Sequence, residues 1–268
     1  MKIFTVSTGR CGTQFISRVF ETLTDYPSFH EPAPFCAYTT LEEINTKPSF
    51  ELCSHETRSD IMQKIKQVEL DSDENGNYFE SNQMFGKCYW SYILRHFKRE
   101  EIGVIYLWRN PIDELFSWFH KSPERNDGWH IKSNWRYAFL RTEEEKPFYE
   151  NVLWEWHEVK ERYYFIREHV EKSFEMPFSD LNNVKKWKDL FNHFGVNHVE
   201  FNEIPDLDRN ESKYRQPYHL VIRNIKKFWG VKGKLMDIRK DYNRGLTYIE
   251  YGKKVIARKK AELNKCRM

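Results

Sequence analysis

Two short segments bring together the residue types that hold sulfate- or phosphate-like anions. The first is Thr8-Gly9-Arg10-Cys11-Gly12-Thr13-Gln14, and the second is Arg109-Asn110-Pro111-Ile112-Asp113 with Ser117 further on. In the first, two glycines permit turns that let backbone N–H groups approach an anion, while Arg10 adds a cation and Thr13 a hydroxyl. In the second, a guanidinium is followed by a hydroxyl two helical turns later, so both can reach one phosphate. Neither the G-x-x-x-x-G-K-[ST] of magnesium-dependent nucleotide kinases nor the dinucleotide G-x-G-x-x-G is present. The expected ligand is therefore anionic at two places and needs no metal. Each segment alone has the letters of an ordinary turn, and their pairing carries the inference.

The elements around them place both segments at strand ends. Lys2 to Ser7 is short, β-branched and partly apolar, which predicts a buried strand, and Phe15, Ile16, Val19, Phe20 and Leu23 then recur at helical spacing. Ile102 to Trp108 is the clearest strand, and Pro111 suits the first turn of the helix that Ile112, Leu115, Phe116 and Phe119 outline. Tyr26 to Glu31 predicts a second short strand, stopped by Pro32 and Pro34, and Ser173 to Phe178 a further one. Helices are expected near Arg58 to Val68, over Val152 to His169 and over Val184 to Phe194, the last ending at Gly195. Strands alternating with helices predict an α/β fold: one domain over residues 1–268, its central parallel sheet flanked by helices. In such sheets ligands gather at the carboxyl ends of the strands.

Composition narrows the class. The 268 residues are 40 % hydrophobic, 31 % charged and 16 % aromatic, which excludes fibrous, low-complexity and largely disordered chains. No apolar run reaches the ~18 residues of a membrane-spanning helix, and the five scattered cysteines include no C-x-x-C pair, so a soluble chain in the reducing cytoplasm is expected. The ten histidines form no metal motif. The net charge of +3 hides a division: residues 219–268 hold 15 Lys and Arg against 4 Asp and Glu. That basic segment, for which a helix is one reading, can meet a polyanion or an acidic face of its own fold. No nucleic-acid module accompanies it.

Taken in order, Thr8 to Thr13 and Arg109 to Ser117 resemble the PAPS-dependent sulfotransferases, with their P-loop-containing nucleotide hydrolase-like fold. Looser likeness continues at Phe29-His30-Glu31-Pro32, at Gly86-Lys87-Cys88-Tyr89-Trp90, and at Phe178-Ser179-Asp180-Leu181 with Phe191 to Val196. The resemblance implies that Thr8 to Gln14 receive the 5′-phosphosulfate of 3′-phosphoadenosine 5′-phosphosulfate and that Arg109 and Ser117 receive its 3′-phosphate. It also implies that Lys213 and Arg215 close over the nucleotide. Some relatives carry Lys where this chain has Arg10, and the acidic residue common before the Asp-Leu pair is absent here. The subfamily, and with it the acceptor, stays open.

Sulfuryl transfer needs in-line positioning and stabilisation of charge on the leaving oxygen more than covalent catalysis. Arg10 is the first candidate for that oxygen, and Lys87, by resemblance, the second. Glu31 is the leading candidate for the base that takes the acceptor's proton, His30 the runner-up and His55 a lesser one. The acceptor is expected to be a hydroxyl or amine of a carbohydrate or small molecule. Residues 116–165 hold 14 aromatics that can stack on sugar rings, although Trp154, Trp156, Tyr163 and Tyr164 have the spacing of a helix core. Two other classes compete: a divergent nucleotide kinase, and a non-catalytic polyanion binder using residues 219–268.

Overall fold

The computed structural model describes residues 1–33, 55–111, 113, 114, 117 and 148–205, with the backbone alone at 55–60, 88 and 148–154. The chain divides into two compact units. The first takes residues 1–109, 132–137 and 162–209, and the second takes residues 110–131, 138–161 and 210–268.

The first unit is built on five parallel strands: β1 (Lys2–Val6), β2 (Ser28–His30), β3 (Tyr78–Ser81), β4 (Ile102–Trp108) and β5 (Lys172–Pro177). Their order is β2-β3-β1-β4-β5. β1 is buried along its whole length and pairs from Lys2 with Ile102 to Val6 with Tyr106. The continuous apolar run of β4 fits a strand covered on both faces. Helix α1 (Thr13–Leu23) lays Ile16, Val19, Phe20 and Leu23 on one face of the sheet, where Phe20 stacks on Phe79 with ring centroids 3.7 Å apart. Helix α5 (Val184–Phe194) joins it there through Trp187, Leu190, Phe191 and Phe194, capped by the Asn183 side chain and closed at Gly195 with φ 71°. Against the opposite face, Phe85 stacks on Phe4 at 4.6 Å and Tyr163 on Tyr106 at 4.7 Å. Phe85 belongs to a π-helical turn (Phe85–Tyr89) that runs into α3 (Trp90–His96), and Tyr163 to the last turn of α4 (Phe148–Ile166).

The strand predicted at Ile102 to Trp108 and the helix at Val184 to Phe194 recur with the expected ends, the other predicted strands and helices with shifted ones. Helix α2 (His55–Asp71) extends both ways beyond the expected stretch, and its first residue, His55, has only its backbone described. β3 follows the turn at Asp71 to Asn77 and was not among the expected strands; Asp73 closes that turn by accepting from the Asn75 and Asn77 amides.

In the second unit the described residues are 110, 111, 113, 114, 117 and 148–161. Residues 111, 113, 114 and 117 are helical, beginning at Pro111 as its fixed φ favours. On α4, Glu155, Trp156, His157, Glu158 and Val159 are all buried. The core role expected for Trp156 is what its burial shows. Burial, reinforced by the charge of Lys160, lowers the His157 pKa to about 4. The unfolded chain then takes up a proton between about pH 6.5 and 4 that the folded chain refuses. Stability from this group is complete above that window and falls by about 2–3 kcal/mol as pH drops through it. Urea unfolding at pH 7 and pH 4.5 checks this: His157→Gln should flatten that part of the wild-type loss.

Candidate active site

Because all five strands run parallel, their carboxyl ends lie along one edge of the sheet. In strand order that edge carries His30 and Glu31, then Ser81 and Asn82, then the Ser7–Gly12 loop, then Arg109, then Phe178. With neighbouring strands about 4.8 Å apart, the loop sits between an acid–base side and a cationic side. The chain passes from β1 to β2 on one side and reaches β4 on the other, so the loop stands where a parallel sheet opens a crevice.

The loop is shaped by three positions of positive φ: Gly9 at 96°, Arg10 at 55° and, after Cys11, Gly12 at 92°. Turns of this kind point successive N–H groups into one concavity. The Gly9 carbonyl is drawn inward, accepting from the Thr8 hydroxyl at 3.3 Å and from the Cys11 thiol at 3.0 Å. Gly12 is the N-cap of α1, whose first turn, Thr13 and Gln14 included, contains no acidic side chain. The positive end of its dipole is therefore not offset locally.

Gly12 also touches the chain that follows β5. A Cβ on it would lie 2.5 Å from Leu181 Cδ1 and 3.5 Å from the Phe178 ring. Phe178 to Asn182 form a 3-10 turn, pinned by the buried Trp187, whose indole N–H donates to the Leu181 carbonyl at 2.9 Å. Phe178 is 38 % exposed, and the Arg109 guanidinium lies over its ring, 4.3 Å from the centroid. The Arg10 guanidinium is held below its usual range, first by burial and then by the charge of Arg109. The two cations thus share one field, with Phe178 and Leu181 bridging their supports. Sequence reading placed Arg10 and Arg109 together but did not single out Phe178. An aromatic directly after a strand in a turn that contacts a glycine loop was the available signal.

On the other side of the loop, His30 is in register with Ser81, and both its Nδ1 and the Glu31 amide approach the Ser81 carbonyl at 3.1 Å. A carbonyl only accepts, so Nδ1 carries a proton, and in the neutral ring the lone pair is on Nε2. Glu31 lies one residue past β2 at φ 46°, in the left-handed region, where the pleat no longer applies. Such backbone in a non-glycine residue is uncommon and recurs at functional sites. Lys87, 2 % exposed, lies in the π-helical turn and donates to Gln83 Oε1 at 3.1 Å. That turn packs on the end of β1 through Gly86, and its Gly86 and Lys87 carbonyls both accept from Nη1 of the buried Arg162, at 2.8 and 2.7 Å. Arg162 was missed by sequence reasoning, as was the π turn, a feature frequent at functional sites. Ser117 belongs to the second unit. Lys213 and Arg215 lie outside the described residues, as do Trp118, Trp129, Trp135 and the basic segment 219–268. Among the described residues no three His, Cys, Asp or Glu form a metal-type cluster, and no helix is long and apolar enough to cross a membrane.

A parallel α/β sheet with a left-handed loop at the start of α1 and a second cation on the neighbouring strand end sets two cations where sheets of this kind open a ligand crevice. The family comparison makes the class definite. The sulfotransferase domain matches residues 1–195, and the chain belongs to that family. Its activity is accordingly sulfuryl transfer. Neither the curated proteins nor the solved structures yielded a match.

Proposed function

We propose that the chain transfers a sulfuryl group from 3′-phosphoadenosine 5′-phosphosulfate to a hydroxyl or amine of a carbohydrate or small-molecule acceptor, without a metal. The observation that carries this reading is the shared field of Arg10 and Arg109 against one 3-10 turn. Two guanidinium groups that repel each other favour a ligand with two anionic groups, and the exposed Phe178 ring beside them offers a flat face to a base. The donor supplies a sulfuryl group on a phosphate leaving group. Arg10, Thr13 and the N–H groups of the loop stabilise the charge that grows on the bridging oxygen, with Lys87 approaching from the neighbouring strand end. Thr8 and Cys11 hold the loop carbonyl away from the anion, and Arg109 with Ser117 takes the 3′-phosphate. Lys213 and Arg215 close over the nucleotide in this reading. Glu31 is the base, with His30 second, and both stand on the side of the loop away from Arg109, where the acceptor approaches. We take residues 1–268 as one sulfotransferase domain working in the cytoplasm.

The reading is tested by thermal shift. Adenosine 3′,5′-bisphosphate should raise the melting temperature at concentrations well above its Kd, a stabilisation of about 2.7 kcal/mol at 100 Kd, and ATP with Mg²⁺ should not. Arg109→Ala should weaken the bisphosphate about 10- to 100-fold, the scale of a lost charge-assisted pair. Preferential stabilisation by ATP with Mg²⁺ would move the protein to the nucleotide kinases.

A further inference from the structure

The buried face of β3 carries a charge that the mechanism above does not use. Glu80 is 0 % exposed, and so is Lys64 of α2, whose ammonium lies 2.9 Å from Glu80 Oε2. The Tyr78 hydroxyl donates to the same oxygen at 2.5 Å, while Oε1 accepts from the Tyr89 hydroxyl and, at 2.9 Å, from Asn82 Nδ2. One carboxylate therefore joins α2, β3 and the π-helical turn, and every one of its partners is buried. Burial and then the Glu80 charge push the Tyr78 hydroxyl far above its usual range, which keeps it protonated as a donor.

Asn82 is where that network meets the site. Its side chain gives a hydrogen to Glu80 and accepts the Met84 amide at 2.9 Å, and its carbonyl accepts the Phe85 amide at 3.1 Å, which opens the turn carrying Lys87. Its own amide donates to Thr5 Oγ1 of β1 at 3.1 Å. The carbonyl on the other side of that same peptide is Ser81, the one that holds His30 Nδ1 and the Glu31 amide. Two adjacent residues, Ser81 and Asn82, thus hold the base candidates through the Ser81 carbonyl and the lysine turn through the Asn82 side chain and carbonyl.

We propose that Asn82 is a positioning residue for sulfuryl transfer, locked by the Glu80–Lys64 hub so that the base pair His30–Glu31 and the Lys87 turn keep a fixed relation. The proposal rests on the assignment of those three residues above. It holds whichever of His30 and Glu31 takes the proton, because both hang on the Ser81 carbonyl. Buried polar networks in which each member is satisfied specify one arrangement rather than merely adding stability. A side chain that orients others acts on the rate of the chemical step more than on binding of a donor held elsewhere.

The test is a split of kinetic constants joined to a spectroscopic signature. Asn82→Ala should lower kcat about 10- to 100-fold while leaving adenosine 3′,5′-bisphosphate affinity within about two-fold, since Arg10, Arg109 and the loop remain. Nitrogen-15 spectra of the imidazoles should show His30 locked as the Nδ1–H tautomer in the wild type and as a tautomer mixture in Asn82→Ala. Tyr89→Phe, which removes one hydroxyl from Glu80 but keeps the ring, should reproduce both changes in milder form if Asn82→Ala fails to fold. An unaltered kcat and tautomer in either folded variant would overturn the proposal, as would a loss of bisphosphate affinity equal to the loss of kcat. Absence of sulfuryl transfer in the wild type would instead refute the assignment on which it rests, and the tautomer comparison would still decide whether Asn82 orients His30.

Discussion

Gly12→Ala should all but eliminate adenosine 3′,5′-bisphosphate binding and lower stability by about 2–6 kcal/mol, more than any other single methyl added to the described loop. Two costs combine. The φ of 92° is open to glycine and strained for alanine, worth about 1–3 kcal/mol. The new Cβ would also stand 2.5 Å from Leu181 Cδ1, which lies in the buried cluster with Trp187 and Phe191, and forced overpacking of this kind costs about 1–3 kcal/mol. Leu181 is tied to Trp187 through its carbonyl, so the turn cannot retreat without breaking the 2.9 Å bond. The relief expected is movement of the loop itself, which carries Arg10 away from Arg109. The double variant Gly12→Ala, Leu181→Ala separates the two costs: the clash disappears and the backbone strain stays. It should therefore recover part of the melting temperature and little of the bisphosphate affinity, and full recovery of affinity would show that steric contact alone shapes the loop.

What was legible in the sequence follows from how local its causes are. Strand β1, the loop and α1 were readable because their signals are short-range: an apolar run, two glycines, then a helical stripe. Helix α5 was placed residue for residue, since its apolar stripe runs between an asparagine cap and a glycine in left-handed conformation. β3 was not readable. Tyr78-Phe79-Glu80-Ser81 is four residues long and places a carboxylate in the core, which Lys64, from the preceding helix, makes tolerable together with the Tyr78 and Tyr89 hydroxyls and the Asn82 amide. A charge with a distant partner looks in the sequence like a charge on the surface. The π turn was hidden for a similar reason: its carbonyls are held by Arg162, some 75 residues away. Glu31 was expected from type and place, but its left-handed backbone goes with a hydrogen bond from its amide to the Ser81 carbonyl and has no sequence signature. The two cations, by contrast, needed only the rule that parallel strands end on one edge, and the orientation of β1 and β4 then brought them together.

The same edge arrangement fixes what should happen when the base is removed. Glu31→Gln is expected to lower kcat about 10²- to 10⁴-fold, the scale of a lost general base, with bisphosphate affinity and melting temperature close to wild type. The amide is isosteric and cannot take a proton, and Glu31 stands two strands from the loop, on the side away from Arg109, so donor contacts persist. Its carboxylate has no hydrogen-bond partner among the described residues, whereas the His30 ring is engaged by the Ser81 carbonyl. His30→Gln should cost less than Glu31→Gln if the imidazole only shapes the acceptor side. The reverse ranking would move the base to His30, whose Nε2 lone pair is already set for the task by the proton on Nδ1. Equal and small losses in both variants, measured in single turnover so that product release does not mask the chemical step, would place the base outside these two residues. Because the His30 ring and the Glu31 backbone amide share one carbonyl, the two single variants and Asn82→Ala form a connected set: a large loss in Glu31→Gln predicts that adding Asn82→Ala to it costs little more, the non-additivity expected of groups that act through one another.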